Sequence, residues 1–268
     1  MELILREDAF LGETHIVTGA AQGIGLAVAQ SLARHGAQVA LVDLDQGRVE
    51  EAAKRIEHAA VAPLAIAANV TSEDDVAGAV ARVLEASDCI NGIVNVAGIT
   101  RDSRITKKTL EDFNLVLATH LGGTFLFTRE VANQHWHPLF KANGNEPLDD
   151  GVNRFIVNFS SVSARNGNIG QVDYTAAKGA IESVTRTTAR EFSGYRCRVN
   201  AVAPGPVNTP MLEGVGDAGI DAFRRATLLG KVAEPEDLAA TVIGIACPRI
   251  SGYTTGQVFA ANGGMYMA

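Results

Sequence analysis

The chain has 268 residues, 47% of them hydrophobic and 20% charged, with a formal net charge of −7. That balance excludes a disordered chain and suits one large α/β domain. The acidity offers no basic face for nucleic acid or an anionic membrane, and no apolar run reaches the ~20 residues of a membrane span. Cys89, Cys197 and Cys247 lie far apart without a CxxC pair, so neither a disulfide framework nor a zinc site is expected. Residues 1–10 carry Glu2, Arg6, Glu7 and Asp8 and lack the apolar stretch of a signal peptide. Reduced thiols in a cytoplasmic protein are the expectation.

In chain order, residues 15–17 predict a short strand that runs into a glycine-rich turn and a helix over 24–34. A Val- and Leu-rich strand over 38–42 ends at Asp43, and a helix over 47–58 follows. Next come a strand over 63–68 and a helix over 72–86, with Ser72 as its cap and Glu73, Asp74 and Asp75 in its first turn. A strand over 90–96 closes at Gly98. A long helical region over 109–136 is interrupted by Gly122 and Gly123, as two helices or one bent helix. Residues 138–153, polar with two Gly and two Pro, predict an exposed loop. A strand over 155–159, a helix over 174–192 and a strand over 198–203 lead to Pro204-Gly205. Residues 207–231 read as irregular or weakly helical, 235–247 as a helix and 258–261 as the last strand. Strands separated by helices predict a doubly wound parallel sheet with helices on both faces, in a single domain over 1–268.

The run T-G-A-A-Q-G-I-G (18–25) sits between the first strand and the first helix. Its glycines permit a tight turn and close backbone approach to a pyrophosphate, and the helix presents free N–H groups and its positive end to that anion. Asp43, at the end of the second strand, suits a carboxylate bound to the adenosine ribose hydroxyls, and it would repel a 2′-phosphate. Gln22 and Leu44 beside it are neutral, which favours NAD(H) over NADP(H). A second reading makes Asp43 only a cap for the next helix.

Further segments are N-V-A-G-I-T-R-D (95–102), S-S-V-S (160–163), Y-T-A-A-K (174–178), V-N-A-V-A-P-G (199–205), T-G-Q-V (255–258) and N-G-G-M-Y-M (262–267). With the glycine turn they resemble the short-chain dehydrogenase/reductase family from about residue 11 to 267. They look most like its 3-oxoacyl-(acyl-carrier-protein) reductases and 3-hydroxyacyl-CoA dehydrogenases. The resemblance implies a seven-stranded Rossmann fold and an oxidoreductase that interconverts a ketone and a secondary alcohol. It assigns Gly19, Gln22, Gly23, Ile24 and Gly25 to the pyrophosphate, Asn69 and Val70 to the adenine, and Asn95, Ala97 and Gly98 to the adenosine half. It places Val207 and Thr209 at the nicotinamide, in a substrate lid over 207–231. Tyr174 becomes the proton donor and acceptor, with Lys178 one helical turn away and Ser161 thirteen residues earlier to hold the substrate oxygen. An ammonium there would lower the phenol from its usual pKa of ~10 and bond the nicotinamide ribose, and the resemblance counts both Tyr174 and Lys178 among the cofactor-binding residues.

The chain departs from the family pattern in three places. His120 stands where an asparagine is usual; it would relay protons, titrating near neutrality, or it is a plain structural histidine. Val96 replaces a second asparagine, and the 138–153 connection is long. His135-Trp136-His137 lacks a carboxylate or cysteine partner and reads as a helix-end cluster, with no metal expected. The apolar lid (Met211, Leu212, Phe223, Leu228, Leu229) suits an acyl chain or an ordinary packed helix pair. Arg196 and Arg198 would meet an acidic carrier protein, or are simply solvated. The expectation is a 3-oxoacyl-thioester reductase of fatty acid metabolism, its substrate linked to carrier protein or CoA, assembled as a homotetramer. A dehydrogenase of another lipophilic, sugar or steroid alcohol, and a non-enzymatic nucleotide-sensing binder, stay open.

Overall fold

A computed structural model describes residues 5–57, 59–212 and 215–267. The first half runs β1 (Thr14–Thr18), α1 (Gly23–Arg34), β2 (Gln38–Asp43), α2 (Gln46–Lys54), β3 (Leu64–Ala67), α3 (Glu73–Ala86) and β4 (Gly92–Asn95). The expected end of the second helix, His58, lies outside the described residues. In the second half follow α4 (Leu110–Leu117), α5 (Gly123–Val131), α6 (His137–Ala142), β5 (Arg154–Phe159), α7 (Ser163–Asn166) and α8 (Val172–Glu191). The chain then continues through β6 (Cys197–Val202), α9 (Gly216–Ala226), α10 (Pro235–Ala246), α11 (Pro248–Ser251) and β7 (Val258–Phe259).

The seven strands form one sheet in the order β3-β2-β1-β4-β5-β6-β7. Every pairing is parallel. Parallel strands covered on both faces need continuous apolar runs, and Val39, Ala40, Leu41 and Val42 are buried without alternation. One face packs Leu41, Val94 and Val157 against Leu26 and Leu32 of α1 and Leu238 and Val242 of α10. The other packs Ile16, Ile66 and Ile93 against Val80 and Val83 of α3 and Phe127 of α5. The strand order reverses direction between β1 and β4, and a crevice opens there beyond the carboxyl ends of the strands. Among the described residues no helix is long and apolar enough to cross a membrane.

Three expectations need correction. Gly122 and Gly123 do not break the helix: α4, α5 and α6 run on through two π-helical turns, Ala118–Gly122 and Ala132–Trp136. Gly123 is small because α5 lies against Val70, whose Cβ would stand 2.9 Å from an added Cβ. Residues 138–142, expected in a loop, are helical: α6 continues the helix past the second π-helical turn, with Pro138 just beyond it. Arg198 is buried: its guanidinium donates to the carbonyls of Ile245 (2.5 Å) and Ala246 (2.6 Å) and to Ser251 Oγ (2.9 Å). It closes the amino edge of the sheet and cannot meet a carrier, while Arg196 is paired with Asp149 at 2.7 Å.

Candidate active site

The crevice begins at the turn after β1. Gly19 and Gly23 have φ of +66° and +54°, a region that glycine enters without strain. A Cβ on Gly19 would lie 2.8 Å from Ala97 Cα, so this glycine lets the turn rest on the chain leaving β4. Thr18 Oγ1 accepts from the amides of Val96 (3.1 Å) and Ala97 (3.2 Å) and joins the two segments. Helix α1 has no side-chain cap and no acidic residue in its first turn. By contrast, Asp45, Ser72 and Thr109 cap α2, α3 and α4. No side chain takes the first-turn amides of α1, and Gly19, Gln22, Gly23, Ile24 and Gly25, the residues that the resemblance assigns to a pyrophosphate, surround that end of the helix.

Asp43 is not a helix cap. Its carboxylate accepts from the amides of Ala21 (3.0 Å) and Leu44 (2.8 Å), which aims it along the turn, and Asp45 caps α2 instead. The neighbours of Asp43 are not all neutral, however. Arg48, in the first turn of α2, donates to Gln22 Oε1 and brings a cation to the same lip. Linear spacing hides it, because the contact is made by α2 lying beside the turn that leads into α1. Asn69 Oδ1 closes a local turn on Thr71, accepting from its amide at 3.0 Å and its hydroxyl at 2.8 Å. Val70 is packed under Gly123. Asn95 is buried, and its amide donates to Asn158 Oδ1 at 2.9 Å. The side chains of Asn95 and Val70 therefore support the crevice from behind, and their main chains border it.

Ser161, Tyr174, Lys178 and His120 converge at the same carboxyl edge. Ser161 follows β5, and its Oγ accepts from the Ser163 amide at 3.1 Å. Lys178 Nζ donates to the carbonyl of Phe159 at 2.6 Å and lies 5.5 Å from the centre of the Tyr174 ring. The Tyr174 ring meets His120 edge to face at 5.1 Å. Ser160, just before Ser161, turns inward to the Lys178 carbonyl (3.1 Å) and Glu182 (3.0 Å). Asp173, just before Tyr174, is buried in an ion pair with Lys108 at 2.7 Å, an anchor for α8 that the sequence reading missed. Thr209 leans on Gly23, its Cγ2 standing 3.3 Å from an added Cβ, and Val207 is buried beneath it.

The electrostatics correct two expectations. Burial raises the Tyr174 phenol, more than hydrogen bonding from Ser161 lowers it, and the Asp102 carboxylate adds to the rise. Lys178, expected to lower it, is not among the groups that shift the phenol, being itself held down by burial at about 7. His120 is 2% exposed, and burial, followed by the Lys178 charge, holds it down at about 3 despite its hydrogen bond to Ile99. It therefore does not titrate near neutrality. Its Nε2 lies 2.8 Å from the Ile99 carbonyl, and Nδ1 is buried without a partner. His120→Asn should then leave the pH profile of turnover between about pH 5 and 9 unchanged in shape, because the limb near 7 belongs to Lys178. A limb that moves in pH–rate measurements would make His120 a titrating relay after all.

The segment expected to form a lid comprises a short 3₁₀ turn, Pro210–Leu212, and α9; residues 213–214 lie outside the described residues. A cavity of about 470 Å³ lies behind the lid, lined by Pro206, Leu229, Leu238 and Ala261 among others, and none of the four converging side chains borders it. Among the described residues His135 and His137 gather no metal-ligand set; His137 Nδ1 lies 3.0 Å from the Tyr195 hydroxyl, and Trp136 between them is buried.

A seven-stranded parallel sheet, an uncapped helix beyond a glycine turn, and a Ser–Tyr–Lys group at the sheet's carboxyl edge define a Rossmann-type oxidoreductase. The chain belongs to the short-chain dehydrogenase/reductase family. A model of that family, described as enoyl-(acyl carrier protein) reductase, matches residues 19–266. The 3-oxoacyl-(acyl-carrier-protein) reductase of Thermotoga maritima is 34% identical over 256 residues, 95% of this chain and 98% of that one. The (3R)-3-hydroxyacyl-CoA dehydrogenase of Canis lupus familiaris is 34% identical over 260 residues, 94% of this chain and 95% of that one. Among solved structures, the 3-ketoacyl-(acyl-carrier-protein) reductase of Brucella melitensis complexed with NADH superposes with a TM-score of 0.84 at 29% identity. That match covers 96% of this chain and 100% of the other.

Proposed function

We propose that the chain interconverts a 3-oxoacyl thioester and its 3-hydroxy counterpart with a nicotinamide dinucleotide, NAD(H) in preference to NADP(H). The observation that carries this reading is the convergence of Ser161, Tyr174 and Lys178 beside the uncapped end of α1. The bound nicotinamide supplies or accepts the hydride. Everything else falls to the chain. The glycine turn and the α1 amides hold the pyrophosphate, Asp43 the adenosine ribose, and Thr209 the carboxamide end. Ser161 Oγ donates to the substrate oxygen and fixes it beside the phenol. Tyr174 Oη gives its proton to that oxygen in reduction and takes it back in oxidation. Lys178, held by Phe159, keeps a positive charge near the phenol below about pH 7. His120 stays neutral and closes the inner wall.

The thioester class is favoured by the activities named for the similar proteins of Thermotoga, the dog and Brucella. The decisive test is NADH oxidation with acetoacetyl-CoA, set beside simple diketones, sugars, steroids and crotonyl-CoA. Preferred turnover of acetoacetyl-CoA is expected. Preferred turnover of crotonyl-CoA would mean reduction of a carbon–carbon double bond, and NADH binding without any turnover would mean a sensor. The proposed assembly is a cytoplasmic homotetramer, checked by sedimentation of the purified protein.

The cofactor preference has its own test. Asp43 favours NADH and Arg48 opposes it, so Asp43→Ala should tighten NADPH relative to NADH by about tenfold, the equivalent of ~1.4 kcal/mol. Fluorescence titration of both dinucleotides reads this directly. A wild-type protein that already binds NADPH more tightly would reverse the assignment of Asp43.

A further inference from the structure

Glu182 lies one helical turn beyond Lys178 on α8 and is only 3% exposed. A carboxylate that deep is stable only when paired and hydrogen-bonded. Its partner is Arg165, on α7 four residues after Ser161. Arg165 Nε donates to Oε1 at 3.1 Å, and Nη2 contacts Oε2 in a second, parallel bond. Such a two-pronged pair fixes angle as well as distance. Ser160 adds a third link, with its hydroxyl 3.0 Å from Glu182 Oε1 and 3.1 Å from the Lys178 carbonyl. The outer side of the guanidinium lies 6.0 Å from the centre of the Tyr266 ring, near the end of the chain.

These contacts brace two segments that the Lys178–Phe159 bond also links. One is the exit of β5 with Ser161. The other is the turn of α8 with Lys178, whose Nζ is bonded to Phe159. We propose that Glu182 and Arg165 are positioning residues that set the spacing of Ser161 from Tyr174 and Lys178, with Tyr266 covering their ion pair. The proposal rests on the catalytic reading above. The bonds of Glu182 and Arg165 run to Ser160 and to each other, not to Ser161 or Tyr174, so their effect is on geometry and not on proton transfer itself.

The test uses Glu182→Gln, Arg165→Gln, Arg165→Lys and Tyr266→Ala in the full chain. Turnover of acetoacetyl-CoA should fall about tenfold in Glu182→Gln and Arg165→Gln, because small displacements at a reacting centre are costly. NADH affinity should hold, Arg165→Lys should recover part of the loss, and Tyr266→Ala should lose less. Hydrogen exchange over residues 160–166 should quicken in the two Gln variants while α1 is unchanged. Wild-type turnover in both Gln variants would overturn the proposal, as would equal losses of turnover and NADH affinity. If the wild type reduces no substrate, the catalytic reading fails, and the exchange pattern still decides whether the joint holds 160–166 in place.

Discussion

Tyr174→Phe should lower turnover by about 10²–10⁴-fold while NADH affinity stays at the wild-type level. The substitution removes one oxygen and keeps the ring. The edge contact with His120 at 5.1 Å and the Lys178 ammonium 5.5 Å from the ring centre both survive it. The dinucleotide cradle lies on β1 and α1 and shares no side chain with Tyr174. The pH behaviour of the wild type follows from the same surroundings. Burial raises the phenol, so Tyr174 holds its proton at neutral pH, as the proposed donor in reduction must. Oxidation needs the phenol ionised, so its rate should climb with pH. Reduction should weaken as pH passes about 7 and Lys178 loses its charge. Stopped-flow rates in both directions check this, and a reduction rate that climbs with pH would contradict it.

Gly25→Ala should abolish dinucleotide binding and cost about 1–3 kcal/mol of stability. Helix propensity alone predicts the opposite sign, since alanine is better than glycine in a helix by about 1 kcal/mol. The new Cβ, however, would overlap the Gly19 carbonyl oxygen and lie 2.7 Å from its carbon and 3.0 Å from Ala20 Cα. These are backbone atoms of the turn itself. They cannot swing aside as a side chain would, so either α1 backs away or the turn opens. Gly78→Ala, in the middle of α3, is the control: nothing stands within 4 Å of its added Cβ, and it should be neutral or slightly stabilising. Thermal unfolding and NADH fluorescence titration read both variants. Wild-type affinity in Gly25→Ala would mean that the turn tolerates a shift.

The strand–helix alternation and the glycine turn were legible because they are local. Each apolar strand and each cap announces itself within a few residues, and a right-handed crossover leaves one sensible way to assemble them. Ser161, Tyr174 and Lys178 were legible through their spacing within recognisable segments. What escaped is contact between distant segments. Arg48 reaches Gln22, and Arg165 reaches Glu182, only through the packing of elements. The π-helical turn carrying His120 adds one residue to a helical turn and leaves the apolar pattern nearly intact, so glycines appeared as breaks. The sign of the Tyr174 shift escaped because spacing shows a neighbouring cation but not the burial that dominates the phenol. The buried state of Arg198 escaped because a cation in a strand ordinarily reads as exposed.

The Thr18 hydroxyl accepts two amides from the chain leaving β4, so the rims of the crevice are fastened across the point where the sheet changes direction. An incoming dinucleotide therefore meets a finished berth there and does not have to gather it. Little ordering cost is charged at that rim, and differences in affinity among related ligands should show mainly in how fast they depart.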